Sequence, residues 1–161
     1  MTQETRELFD KFTAVIGELT VLAGDIAQVE EAKAEAASLR HHERLDGFIQ
    51  KEQAQILKLR GLEQHRMRLA GELGWDSLAF RQILERADDD QKRALTPLFD
   101  ELSRQLDRLQ QSRKASEQII QVRIHEIETA IAQQQGTSYD NSGNTTPGAS
   151  PHVNKMKDTY V

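Results

Sequence analysis

The feature that most constrains this chain is one apolar stripe running from Leu95 to Ile131. At 3.6 residues per turn, Leu95, Leu98, Leu102, Leu106 and Leu109 fall on one helical face. Ile120, Ile124, Ile127 and Ile131 continue that face in the same phase. Between the two groups the face carries Arg113 and Ser116, so a single long helix is predicted with a leucine half and an isoleucine half divided by a polar break. Ile120, Val122 and Ile124 also alternate with polar residues, as a strand would. That run is short, has no Gly or Pro at either end, and lies inside an unbroken helical phase, so helix is the better reading. Ile119 and Val122 lie off the stripe, on sides expected to face water. The isoleucine half is therefore apolar on more than one side.

A helix of this kind needs apolar partners, and the preceding sequence supplies two. The first begins near Thr2 or Thr5, either of which can act as an N-cap. It carries Leu8, Phe12, Val15, Leu19, Leu22, Ile26 and Val29, in alternating steps of four and three that make a coiled-coil rhythm. Beyond Val29 the stripe thins to Ala32, Ala36 and Leu39. Gly24 costs this helix about 1 kcal/mol and does not end it. Arg40-His41-His42-Glu43-Arg44 has no apolar member and predicts a turn. The second helix is expected from about Leu45 to Leu73, on Leu45, Ile49, Ile56, Leu59, Leu62, Leu69 and Leu73, with Glu52 and Arg66 interrupting its stripe. Gly74 is placed to stop it. After Trp75, Asp76 or Ser77 is expected to cap a short helix containing Leu78, Phe80, Ile83 and Leu84. This helix would form a lid anchored by the packing of Trp75 and Phe80.

Asp88-Asp89-Asp90 offers an N-cap and favourable negative charge for the last long helix. From Asp90 to about Gln134 it would measure roughly 65 Å at 1.5 Å per residue, reaching past its shorter partner. Pro97 predicts a kink, or a helix that starts near Thr96. The stretch from Thr137 to Val161 is rich in Ser, Thr, Asn, Gly and Pro and lacks the apolar surface to fold alone. The predicted fold is all-α: an elongated antiparallel three-helix coiled-coil bundle with a short extra helix over residues 1–135, and a disordered C-terminal tail over 136–161.

Function classes narrow by exclusion. The net charge of −5 argues against nucleic acid. With no cysteine there is neither disulfide nor thiolate chemistry. The acidic first twenty residues do not suit a signal peptide. No segment is expected to approach the ~20 apolar residues of a membrane span, which predicts a cytoplasmic location. His41 and His42 point about 100° apart on a helix and do not form a metal pair, and His65 and His125 read as surface residues. No phosphate loop, nucleophile elbow or zinc motif occurs. The expectation is a binding protein without catalysis, metal or cofactor.

Three features resemble the FlgN family of flagellar type III export chaperones. Leu45-Asp46-Gly47-Phe48-Ile49-Gln50-Lys51-Glu52-Gln53, continuing through Leu59, Leu62-Glu63-Gln64 and Leu69 to Gly74, is similar to that family's second helix. The long last helix with its divided stripe resembles the third. Tyr139-Asp140-Asn141-Ser142-Gly143 is similar to the family's Tyr-Asp-x-x-Gly signature after that helix. Many relatives carry asparagines midway along the third helix, where this chain has Ser112, Arg113 and Ser116. The resemblance implies a cytoplasmic protein that binds an amphipathic segment of hook-filament junction proteins and delivers it to an export-gate component. Ile119, Ile120, Val122, Ile124, Ile127, Ile131 and Tyr139 would be the partner-binding residues. A monomer or weak homo-oligomer is expected. Two other readings stay open: a self-assembling coiled-coil structural or adaptor protein, and a metal- or ligand-binding bundle.

Overall fold

The computed structural model describes residues 1–134, which form four helices and no strand among them. The fold is all-α, as the periodicity predicts. Helix α1 spans Gln3–Ser38, α2 His42–Glu72, α3 Phe80–Arg86 and α4 Asp89–Gln134. The chain divides into two units, Met1–Arg123 and the part from Ile124 onward. The expected disordered tail, 136–161, lies outside the described residues.

Local chemistry sets the helix ends. Thr2 caps α1 by accepting a hydrogen bond from the Thr5 N–H through its hydroxyl, at 3.1 Å. Its C-terminus closes with a Schellman pair, the Arg40 N–H donating to the Ala37 carbonyl and the His41 N–H to that of Ala36. Arg40 occupies the left-handed position with φ 61°. The turn is therefore shorter than the sequence suggests, and α2 starts at His42 rather than near Leu45. The same motif ends α2. The Gly74 and Trp75 N–H groups donate to Gly71 and Ala70, and Gly74 adopts φ 81° as expected of a stop.

The short helix differs from expectation at its start. Ser77 is left-handed, with φ 58°, so neither Asp76 nor Ser77 caps it and Leu78 precedes it. The Gln82 side chain instead accepts from the Ala79 N–H at 2.9 Å. Asp88 caps α4 reciprocally: its carboxylate accepts from the Gln91 N–H, and the Gln91 amide oxygen accepts from the Asp88 N–H. The helix runs through Pro97, which removes the reading that it begins near Thr96. Pro97 offers no N–H to the Arg93 carbonyl, and the loss is confined to one rung.

Packing in the first unit is organised by α1, which buries fourteen side chains against three for α2. At one end Phe12, Ile16, Leu69, Ile83, Leu95, Phe99 and Leu102 form a core. Trp75 meets Phe12 edge-on with centroids 5.5 Å apart, and Phe80 stacks on Phe99 at 4.2 Å. Arg66, a break in the α2 stripe, lies over the Phe80 ring. These contacts make α3 the expected lid. Farther along, Leu22, Ala23, Ile26 and Ala27 of α1 meet Leu109 of α4, with Leu59 and Leu62 of α2 against them. The order of these contacts sets α2 antiparallel to α1, and this part of α4 parallel to it. In α4 the core position is taken by Phe99, while Leu106 of the predicted stripe is largely exposed. Gln105 turns toward α1 instead. Its amide oxygen would stand 3.1 Å from any Cβ at Gly24, so this glycine makes room for it.

Among the described residues α1 is long and apolar enough to cross a membrane, with a window of mean hydropathy 1.4. This corrects the expectation that no segment approaches a span. Half of that window is buried inside the protein, as in the central helix of a bundle.

Candidate functional site: a buried polar layer and an exposed isoleucine face

Above the Leu109 level the apolar stripes of three helices are interrupted together. Ile26 is followed in phase by Glu30 and Lys33 on α1, Ile49 by Glu52 on α2, and Leu109 by Ser116 on α4. These four side chains converge and are sealed from water, with relative exposures of 1% for Glu30, 6% for Lys33, 1% for Glu52 and 0% for Ser116. The Lys33 ammonium donates to Glu52 Oε2 at 2.7 Å and to Glu30 Oε1 at 3.3 Å. The Ser116 hydroxyl donates to Glu30 Oε2 at 2.7 Å. Glu52 Oε1 is buried and accepts no hydrogen bond from any described residue.

Two carboxyl groups and one ammonium leave an unbalanced negative charge if all are ionised, which a buried site disfavours. The carboxyls of Glu30 and Glu52 lie within hydrogen-bonding reach of each other, a contact that requires one proton between them. Burial, reinforced by Glu30, pushes the Glu52 carboxyl up to about 7 against the opposing pull of Lys33. Burial also acts upward on Glu30. The hydrogen bonds from Glu52 and Ser116 and the Lys33 charge outweigh it, holding Glu30 below the usual carboxylate range. Lys33 is driven down by burial but held above its ordinary value by its bond to Glu52 and the two carboxyls. The proton therefore resides on Glu52 rather than on Glu30. Just outside, Arg108 of α4 grips Glu31 of α1 with bonds of 3.0 and 3.1 Å, and Ser112 donates to the same carboxylate. The hydrogen bond from Arg108 holds Glu31 below its ordinary range.

The sequence marks Glu52, Arg113 and Ser116 only as stripe breaks, and reads the charged residues as solvated. Glu30, Lys33 and Glu52 overturn that reading for this level of the bundle. A signal existed: the breaks on α1, α2 and α4 fall at one height once the helices are set antiparallel, parallel and in register.

Ser116 is the last buried residue of α4 among those described. In the first unit Ile119 and Ile120 are half-buried and Val122 is 57% exposed. Ile119 was expected to face water and is instead partly covered. In the second unit Ile124 is half-buried, and Ile127 and Ile131 are 47% and 49% exposed. Steps of three and four place Ile124, Ile127 and Ile131 on one helical face. Tyr139 lies outside the described residues. No cluster of three or more metal-ligating side chains occurs among those described. No family model, curated protein or solved structure matches this chain.

Proposed function

We propose that this protein is a cytoplasmic chaperone of the flagellar type III export system. In this reading it shields an amphipathic segment of hook-filament junction proteins and delivers them for secretion. The observation that carries the reading is the face of Ile124, Ile127 and Ile131, two of whose large apolar side chains are about half exposed. Large exposed aliphatic groups at helical spacing suit a partner helix that lays its own apolar face along them. The resemblance of the Leu45–Gly74 stretch and of Tyr139-Asp140 to the FlgN family supplies the class of partner. Masking an aggregation-prone segment requires only burial of apolar surface, so no bond is made or broken and no cofactor is needed.

The test is calorimetric titration of the purified protein with C-terminal segments of hook-filament junction proteins. Binding is expected, with loss in Ile127→Asp and Ile131→Asp at unchanged helical content. The same face also suits a second copy of this chain. Absence of binding together with a mass that doubles with concentration, and reverts in Ile127→Asp, would instead establish the self-assembling coiled coil.

A further inference from the structure

We propose that Glu30, Lys33, Glu52 and Ser116 form a proton-operated latch. With a proton on Glu52 it holds the Ser116–Ile120 turn of α4 against α1 and α2, and loss of that proton frees the turn and uncovers Ile119 and Ile120. The latch concerns the first unit alone. Its use, admitting a partner helix to these two isoleucines, rests on the chaperone reading.

Position is the first argument. Leu109 and Ser116 are the last two buried residues of α4 among those described, so beyond Leu109 the buried hold on this helix is polar. Ser116 supplies to that hold a hydrogen bond to Glu30, and Glu30 shares its surroundings with a second carboxyl. Ile119 and Ile120 follow within about one turn and are half-buried, so they move with Ser116.

Charge is the second. The charged groups acting on Glu52 are Glu30 and Lys33, both from α1. From α4, Ser116 reaches Glu30 and carries no charge, while Arg108 is committed to Glu31. Arg113 precedes Ser116 by one turn, is half-buried and has an interaction of its own. With Glu52 protonated, Glu30 and Lys33 balance, and the Glu52 carboxyl interacts with Glu30 as a neutral partner. Once Glu52 ionises, two carboxylates face each other beside a single ammonium in a buried layer. Opening the turn hydrates them.

The direction follows from linkage. Glu52 binds its proton more tightly when the layer is closed, up to about 7 against an ordinary 4.5. Closure is therefore fully favoured below about pH 4.5 and weakens as pH rises, levelling off above about 7. The opening equilibrium should increase on the order of tenfold per pH unit across that window.

Amide hydrogen exchange of the full chain from pH 5 to 8, corrected for intrinsic rates, reads this opening. Protection over residues 113–122 is expected to fall with that slope up to about pH 7, while Leu95–Leu102 changes little. Glu52→Gln, which keeps a donor toward Glu30 and cannot ionise, should flatten the slope. A flat wild-type profile, or an equal slope in Glu52→Gln, overturns the latch. Should Glu52→Gln fold poorly, carboxyl-carbon NMR of the wild type decides. A Glu52 midpoint near 7 supports the latch and one near 4.5 overturns it. Neither readout involves a partner, so failure of the chaperone reading would appear separately, as absent binding with the exchange slope intact.

Discussion

The two halves of α4 should respond unequally to the same chemical insult. Leu102 is 3% exposed and sits among Phe12, Ile16 and Phe99. Removing a buried leucine side chain costs roughly 2–5 kcal/mol, and an unpaired carboxyl in its place adds a desolvation penalty of similar size. Leu102→Asp should therefore lose on the order of 5 kcal/mol, a large part of the 5–15 kcal/mol typical of a domain. Ile127 is about half exposed. Burial of a whole isoleucine is worth about 1.5–3 kcal/mol, so Ile127→Asp should lose about 1 kcal/mol, plus a few tenths for the poorer helix former. At roughly 3–4 °C per kcal/mol for a chain of this size, the midpoints should fall by about 15–20 °C and about 3–5 °C. Thermal melts followed by circular dichroism at one fixed pH measure both. Equal losses would mean that the isoleucine half is ordinary core, and the argument from its exposure would collapse.

Two smaller perturbations test the local chemistry. Arg40→Gly places a residue without Cβ at φ 61° and should raise stability by roughly 0.5–1 kcal/mol, read as a higher denaturant midpoint at unchanged slope; a lower midpoint would mean that the contacts of the arginine outweigh its backbone strain. Lys33→Met removes the ammonium between Glu30 and Glu52 and should cost roughly 3–5 kcal/mol at pH 8. The loss should be smaller near pH 5, where Glu52 keeps its proton, and a pH-independent loss would contradict that protonation state.

What could be read from the sequence depended on whether a residue's role was set locally or across helices. Gly74 and Asp88 act within their own turns, and both were legible as a stop and a cap. Arg40 serves the same left-handed role as Gly74 but is a side chain that seldom does so, and α2 was consequently expected to start three residues late. Phe99 and Leu106 lie within the angular scatter of one stripe. Tertiary packing alone separates them: Phe99 is buried against Phe12 and Phe80, whereas Leu106 is exposed. The polar layer was the least legible. A glutamate on an otherwise apolar face reads as a solvated break unless the other two helices are known to break at the same height.

That coincidence bears on why α4 carries two kinds of apolar surface. A continuous apolar stripe through Glu30, Glu52 and Ser116 would bury more area, and exchanging buried ion pairs for well-packed hydrophobes often stabilises a fold by about 1–4 kcal/mol. It would also fasten Ile119 and Ile120 as firmly as Leu102. With charged groups there instead, the buried stripe of α4 ends at Ser116, on a contact whose strength depends on one proton. The leucine half can then be tightly packed while the isoleucines that follow stay partly uncovered. The proposed partner-binding role needs both properties, and the polar layer in the core separates them.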